Sequence, residues 1–189
     1  LSLRVARAVD NQNSNEDERS FARISTAISK YWITKRAPYL VFEALECHGG
    51  PGYIEESIMP RLYREAPLNS IWEGSGNVMC LDVLRALQRD KNALPALFRE
   101  LASAKGSNKN YDVSFNHLKE TLQDPIDLEI EARLLTEKMA CLIQASIFIK
   151  SGEEEKVSAF CNSRLGPRWS GAFGTLPNDT NFEYIMSGL

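Results

Sequence analysis

No stretch of this chain alternates apolar and polar residues at a period of two; its apolar residues return every three or four positions. That spacing stacks side chains along one face of an α-helix and excludes half-buried strands. The clearest case is Phe21, Ile24, Ile28, Tyr31 and Trp32, which share one face of a predicted amphipathic helix and form its expected core contact. The expected fold class is therefore all-α.

The opening segment LSLRVARAVD is already in helical register and lacks a methionine, which predicts the inside of a longer helix and hence the C-terminal piece of a larger protein. The acidic, amide-rich NQNSNEDER (Asn11 to Arg19) ends it. Asn15, followed three residues later by Glu18, predicts a capping box that starts the next helix. Pro38 is expected to interrupt that helix, leaving Tyr39 to Cys47 as a separate or kinked one that stops at Gly49 and Gly50. Gly49 to Gly76 reads as an irregular connector with a short helix around Arg61 to Glu65. Beyond it NVMCLDVLRALQRD forms a strong helix, with Asp82, Arg85 and Arg89 on a solvated polar stripe that holds a weak ion pair. Further helices are expected at Leu94 to Ala104, Tyr111 to Leu122, Ile126 to about Lys150 and Glu153 to Arg164. Asp124 caps the third, with Pro125 at its first position. After Leu165 the Gly, Pro, Ser and Asn content predicts an extended or poorly ordered tail. Two helical parts are thus expected, 1–90 and 91–189, meeting near Lys91.

At 189 residues, 43% hydrophobic and 25% charged, the chain suits one fair-sized or two small soluble domains. Its four cysteines lie far apart with no Cys/His cluster, so no zinc site or disulfide framework is predicted and reduced, buried thiols in a cytoplasmic setting are expected. No apolar run reaches the roughly 20 residues that span a bilayer.

Two turn motifs carry the chemistry. In HGGPGY, His48 to Tyr53, the three glycines allow close backbone approach of the kind phosphate-cradling loops need. No strand precedes it, so a dinucleotide-binding reading fails, and a helix C-cap followed by a turn is the preferred reading. In IWEGSGN, Ile71 to Asn77, a carboxylate stands between an indole and a flexible turn. Apolar surroundings would raise its proton affinity toward that of a general base, whereas an acid near a helix start is favoured by the macrodipole. On spacing alone the helix-start reading is preferred.

Taken together, Glu43 to Leu87 resembles the C-terminal helical domain of the acyl-CoA dehydrogenase superfamily. That family's pattern is a helix, a G-G-x-G-[YF] loop, a stretch ending in L-x-R-[DE], then I-[YW]-E-G and a helix carrying an arginine. Here these are Gly49, Gly50, Gly52 and Tyr53; Leu62, Arg64 and Glu65; Ile71 to Gly74; and Arg85. EESIMPRLYRE and NSIWEGSGNVMCLDVLR resemble the AidB-type branch, the adaptive-response flavoproteins. The resemblance is specific over 1–87 and looser afterwards.

The resemblance implies an FAD-dependent oxidoreductase acting on an acyl-CoA, tetrameric when complete. Glu73 falls at the position of the base that removes the α-proton. Arg85 matches an arginine twelve residues further on, for which a structural or supporting role is expected. Gly49 and Gly50 match a loop that touches the FAD of a neighbouring subunit, and Ile71, Trp72, Gly74, Ser75, Gly76 and Asn77 match the segment beside the flavin. The segment alone is not expected to retain FAD. Three departures belong to the AidB-type branch: Glu46 where many relatives have glutamine, Pro51 in the glycine loop, and G-S-G-N in place of G-T-S-E. Two other readings stay open for 91–189. A DNA-binding or DNA-protecting flavoprotein of the AidB type, with little dehydrogenase activity, is the alternative the resemblance leaves open; it predicts basic patches in this region, which carries eleven Lys/Arg against thirteen Asp/Glu. A structural, oligomerising role would use the apolar run that ends at Ile149.

Overall fold

A computed structural model describes residues 1–123 and 128–187, so the expected cap at Asp124 and Pro125 lies outside the described residues. Ten helices and no strand appear among them: α1 Ser2–Asn11, α2 Glu16–Cys47, α3 Gly50–Tyr53, α4 Met59–Glu65, α5 Gly76–Arg89, α6 Ala93–Ala102, α7 Lys109–Gln123, α8 Leu128–Ser151, α9 Glu154–Arg164 and α10 Phe182–Ser187. A 3-10 turn, Ala66–Ser70, follows α4. The expected all-α class is the observed one.

Helix α2 is the axis of the molecule. Its first turn is fixed by Asn15, whose side chain accepts from the Asp17 and Glu18 amides at 2.9 and 3.2 Å. Glu16, Asp17 and Glu18 place negative charge against the positive end of the helix. The reciprocal half of the expected capping box does not form. Glu18 instead accepts a two-pronged hydrogen bond from Arg4 of α1, at 2.8 and 2.9 Å.

Pro38 does not end α2, so Tyr39 to Cys47 is not the separate helix that is one of the two expected outcomes; the helix runs on for nine residues to Cys47. A proline in a helix interior costs about 3 kcal/mol through its missing donor and ring clash. Packing on both sides of Pro38 offsets that cost. Upstream, Tyr31 and Trp32 are buried. Downstream, Phe42 meets Tyr63 of α4 with ring centroids 5.8 Å apart. The helix stops where the His48 and Gly49 amides fold back onto Leu45 and Glu46, with Gly49 at φ +61°.

One hydrophobic core gathers residues from both sides of Lys91. Phe21, Ile24 and Ile28 of α2 and Val83 of α5 join Leu97 and Leu101 of α6, Tyr111 and Leu118 of α7, and Leu135, Met139, Leu142 and Ile143 of α8. The apolar run at the end of α8 is absorbed by this core: Ala140, Ile143 and Ser146 are buried, and Phe148 packs on Phe160 of α9. It leaves little surface for an oligomer contact. Asp82, expected to pair along its own helix, instead receives both prongs of Arg23 from α2 at 2.9 Å each.

The segment after Leu165 is better anchored than its composition suggests. Trp169 donates from Nε1 to Glu137 of α8 at 2.6 Å, and the guanidinium groups of Arg36 and Arg164 stand 5.4 and 4.4 Å from the centre of its ring. Arg36 also covers the ring of Phe173 and donates to the Gly171 carbonyl at 2.6 Å. Aromatic faces attract cations, so a few large side chains hold a stretch that has no regular structure of its own. The short α10 follows.

Candidate active-site turn

The residues singled out in the sequence lie on the connector between α2 and α5. His48 ends α2, and Gly49 and Gly50 open α3. A β-carbon on either glycine would meet nothing within 4 Å, so this backbone is open to close approach from outside. Gly52 is the opposite case: a β-carbon there would sit 2.3 Å from the Leu45 carbonyl oxygen, so glycine is required for α3 to fold against the end of α2. In the L-x-R-E motif, Arg64 pairs with Glu55 at 2.6 and 3.1 Å rather than with its sequence neighbour Glu65.

After the 3-10 turn the chain passes through Ile71 and Trp72, which are 64% and 56% exposed, into a tight reversal. Glu73 has φ +54°, the one positive value for a non-glycine among the described residues, and Gly74 follows at +113°. A side chain in this region is disfavoured because its Cβ crowds the following carbonyl. Glu73 is exposed on this turn, next in sequence to the exposed Trp72. Ser75 takes an extended conformation as the residue before α5, without a side-chain cap. Gly76 begins α5 and is buried against Lys35 and Tyr31 of α2.

Two contacts reach this turn from residues that no sequence pattern singled out. Lys30 of α2 donates to the carbonyl oxygens of Trp72, at 2.7 Å, and of Gly74. Arg133 of α8 donates from Nε to the Asn77 side chain at 2.6 Å, so a residue beyond Lys91 touches the motif itself. Neither contact leaves a local pattern, because each joins residues more than forty positions apart.

Glu73, Trp72, Gly74, Ser75, Gly76 and Asn77 are thus brought together on one turn. Arg85 is exposed on α5, nine residues past Gly76 and so about 13 Å further along the helix axis, well away from Glu73. Among the described residues, no cluster of His, Cys, Asp and Glu suited to a metal ion appears, and no helix is long and apolar enough to cross a membrane.

Tyr39, Phe42, Tyr53, Ile58, Ile71 and Trp72, which lie within or next to these motifs in the sequence, are all exposed apolar side chains. Buried cysteines occupy the remainder of the fold: Cys80, Cys141 and Cys161. Burial pushes the Cys141 thiol up to about 12 and the Cys161 thiol up to about 11. Cys47, expected to be buried, is exposed at the end of α2.

Residues 1–88 match the family described as acyl-CoA dehydrogenase, C-terminal domain. The chain is 39% identical over 168 residues to AidB of Escherichia coli (strain K12), an acyl-CoA dehydrogenase relative, covering 89% of this chain and 30% of AidB. It is 34% identical over 113 residues to acyl-CoA dehydrogenase family member 11 of Caenorhabditis elegans, covering 60% of this chain and 18% of that protein. Its fold superposes on the crystal structure of C. elegans ACDH-11 in complex with C11-CoA with a TM-score of 0.77 and 25% identity, over 86% of this chain and 33% of that one. The chain thus spans about a third or less of the length of these relatives. With the two glycine-bearing turns in the order and setting described above, residues 1–88 belong to the family of acyl-CoA dehydrogenase C-terminal domains.

Proposed function

We propose that this chain supplies the base-bearing wall of an FAD-dependent oxidoreductase that acts on an acyl-CoA thioester. The observation that carries this reading is the left-handed turn at Glu73, which sets an exposed carboxylate-bearing residue directly after an exposed tryptophan at a conformational cost. Glu73 takes the α-proton of the thioester as the carbon–carbon double bond forms. FAD, when bound, supplies the two-electron acceptor for the hydride that leaves the β-carbon.

The residues present fit such a cofactor as one wall of its site. The exposed side chains of Ile71 and Trp72 suit a planar ring system, the backbone at Gly74, Ser75 and Gly76 would contribute to holding it, and Asn77 would offer a polar contact. Gly49 and Gly50 leave a backbone surface that a cofactor held by a second subunit could approach closely. Glu73 is exposed here, so the exclusion of water that strengthens a carboxylate base would come from whatever covers Trp72. The exposed apolar surface supports a homo-oligomer as part of that cover. Arg85, exposed further along α5, has no part in this step. C. elegans ACDH-11 is known in complex with C11-CoA, which supports an acyl-CoA as the substrate class. The net negative charge of 91–189 gives no support to a DNA-binding role.

Glu73→Gln in the intact protein tests the reading. The amide cannot accept the proton, so flavin colour and molecular size should persist while anaerobic bleaching by acyl-CoA is lost. Bleaching at the wild-type rate would remove Glu73 from the chemistry, leaving it a helix-start acid whose replacement costs about 0.3–1 kcal/mol of stability.

A further inference from the structure

We propose that Lys30 is a positioning residue for Glu73: its ammonium holds the carbonyls on either side of the glutamate and so fixes the turn that displays the carboxylate. The inference rests on the reading of Glu73 as the base.

Two consecutive residues, Glu73 and Gly74, occupy the left-handed region, and one of them bears a β-carbon. A conformation of this kind persists only where its surroundings over-determine it. The Trp72 carbonyl belongs to the peptide that enters Glu73, and the Gly74 carbonyl to the peptide that leaves the reversal. Both accept from Lys30 Nζ, the first at 2.7 Å. One cation therefore pins the two peptide planes between which the torsions of Glu73 and Gly74 are free to turn.

The root of this clamp is rigid. Lys30 lies between Ile28 and Tyr31, both buried, so its stem starts from the best-packed part of α2. On the far side of the reversal, Gly76 is seated against Lys35 and Tyr31 of the same helix. Met79 closes the inner side of Gly74, where a β-carbon would stand 2.4 Å from the Met79 methyl carbon. With both ends and the inner side held, the remaining freedom is that of the Glu73 side chain. A base acts through its distance and angle to the proton, and an error of about 1 Å costs on the order of a hundredfold in rate. The functional content of Lys30 is thus carried through backbone carbonyls, without contact with substrate.

The test compares wild type, Lys30→Met, which keeps the stem and removes the charge, and Lys30→Arg, whose guanidinium can reach two carbonyls. Hydrogen exchange of the amides from Ile71 to Gly76 should be about tenfold faster in Lys30→Met, with the core amides of α8 unchanged, and slow again in Lys30→Arg. In the intact protein loaded with FAD, the maximal rate of anaerobic flavin bleaching should fall about a hundredfold in Lys30→Met, with half-saturation by acyl-CoA unaltered. Wild-type exchange at Ile71 to Gly76 in Lys30→Met overturns the proposal whatever the kinetics. Faster exchange with an unchanged maximal rate overturns it too, as does loosening spread through α2 and α5, which is the mark of a structural lysine. Glu73→Gln measured alongside separates the two claims: if it bleaches at the wild-type rate, or if no acyl-CoA reduces the protein, the base reading fails and the exchange arm alone decides whether Lys30 holds the turn.

Discussion

At the scale of single residues, exposure and chemistry diverge most sharply among the cysteines. A thiol reacts as its thiolate, and burial raises the proton affinity of Cys80, Cys141 and Cys161 while Cys47 stands in solvent. A disulfide reagent applied to the native protein should therefore modify Cys47 at once and the other three only on unfolding. Rapid loss of more than one thiol before the melt would contradict the packing of α8 and α9. Cys47 also shows what the sequence could not disclose. It ends the apolar-looking stretch YLVFEALEC, in which Tyr39, Leu40 and Phe42 are exposed as well. Periodicity reports that a helix has an apolar face, not whether its own chain covers that face. Glu73 is the contrasting case. Its place between Trp72 and Gly74 was legible because the motif is local, whereas Lys30 and Arg133 were not, since their partners lie 42 and 56 residues away.

At the scale of elements, the helices were legible wherever start and stop signals agreed with the period. Asn15 capped α2 as expected, and α5, α6, α7 and α9 fall within a few residues of their predicted limits. Pro38 does not divide α2 in two because its cost of about 3 kcal/mol is a local quantity, while the packing that offsets it comes from α4, α5 and α8. The junction of α2 with α3 makes the same dependence testable. Gly52→Ala drives a methyl group into the Leu45 carbonyl, and backbone cannot yield as a side-chain tip would. The variant should lose about 1–3 kcal/mol by urea or thermal unfolding, and no loss would show that α3 is not seated there. A second element-scale prediction concerns the junction of α1, α2, α6 and α8. Burial pushes the Glu100 carboxyl up, but hydrogen bonds from Arg4 and Lys150, at 2.9 and 2.7 Å, outweigh it and hold the group below its ordinary value of 4.5. A depressed carboxylate contributes stability above its unfolded value, and that contribution is lost as pH falls through the folded one. Glu100→Gln should thus be less stable than wild type by about 1–3 kcal/mol at neutral pH, and the gap should close in acid below 4.5. A gap that stays constant with pH would show that the ion network contributes nothing.

At the scale of the whole molecule, a core that spans Lys91 leaves the apolar side chains of Tyr39, Phe42, Ile71 and Trp72 exposed. On the proposed function these would form one wall for a planar cofactor, and a large planar group needs most of its area enclosed to stay bound. The purified 189-residue chain should accordingly be colourless; a bound-flavin absorption spectrum would show that this wall suffices by itself. The three tryptophans happen to sample the regions that matter most. Trp32 is 8% exposed in the core with Arg36 over its ring, Trp72 borders the candidate base, and Trp169 packs against both Arg36 and Arg164 where the tail meets α2. Their emission should separate accordingly, with a core indole, a solvated one and a tail indole whose quantum yield tracks the approach of Arg164. The chain therefore carries an intrinsic optical gauge of three events, namely melting, occupation of the site and release of the tail, each readable by replacing the other two indoles with phenylalanine.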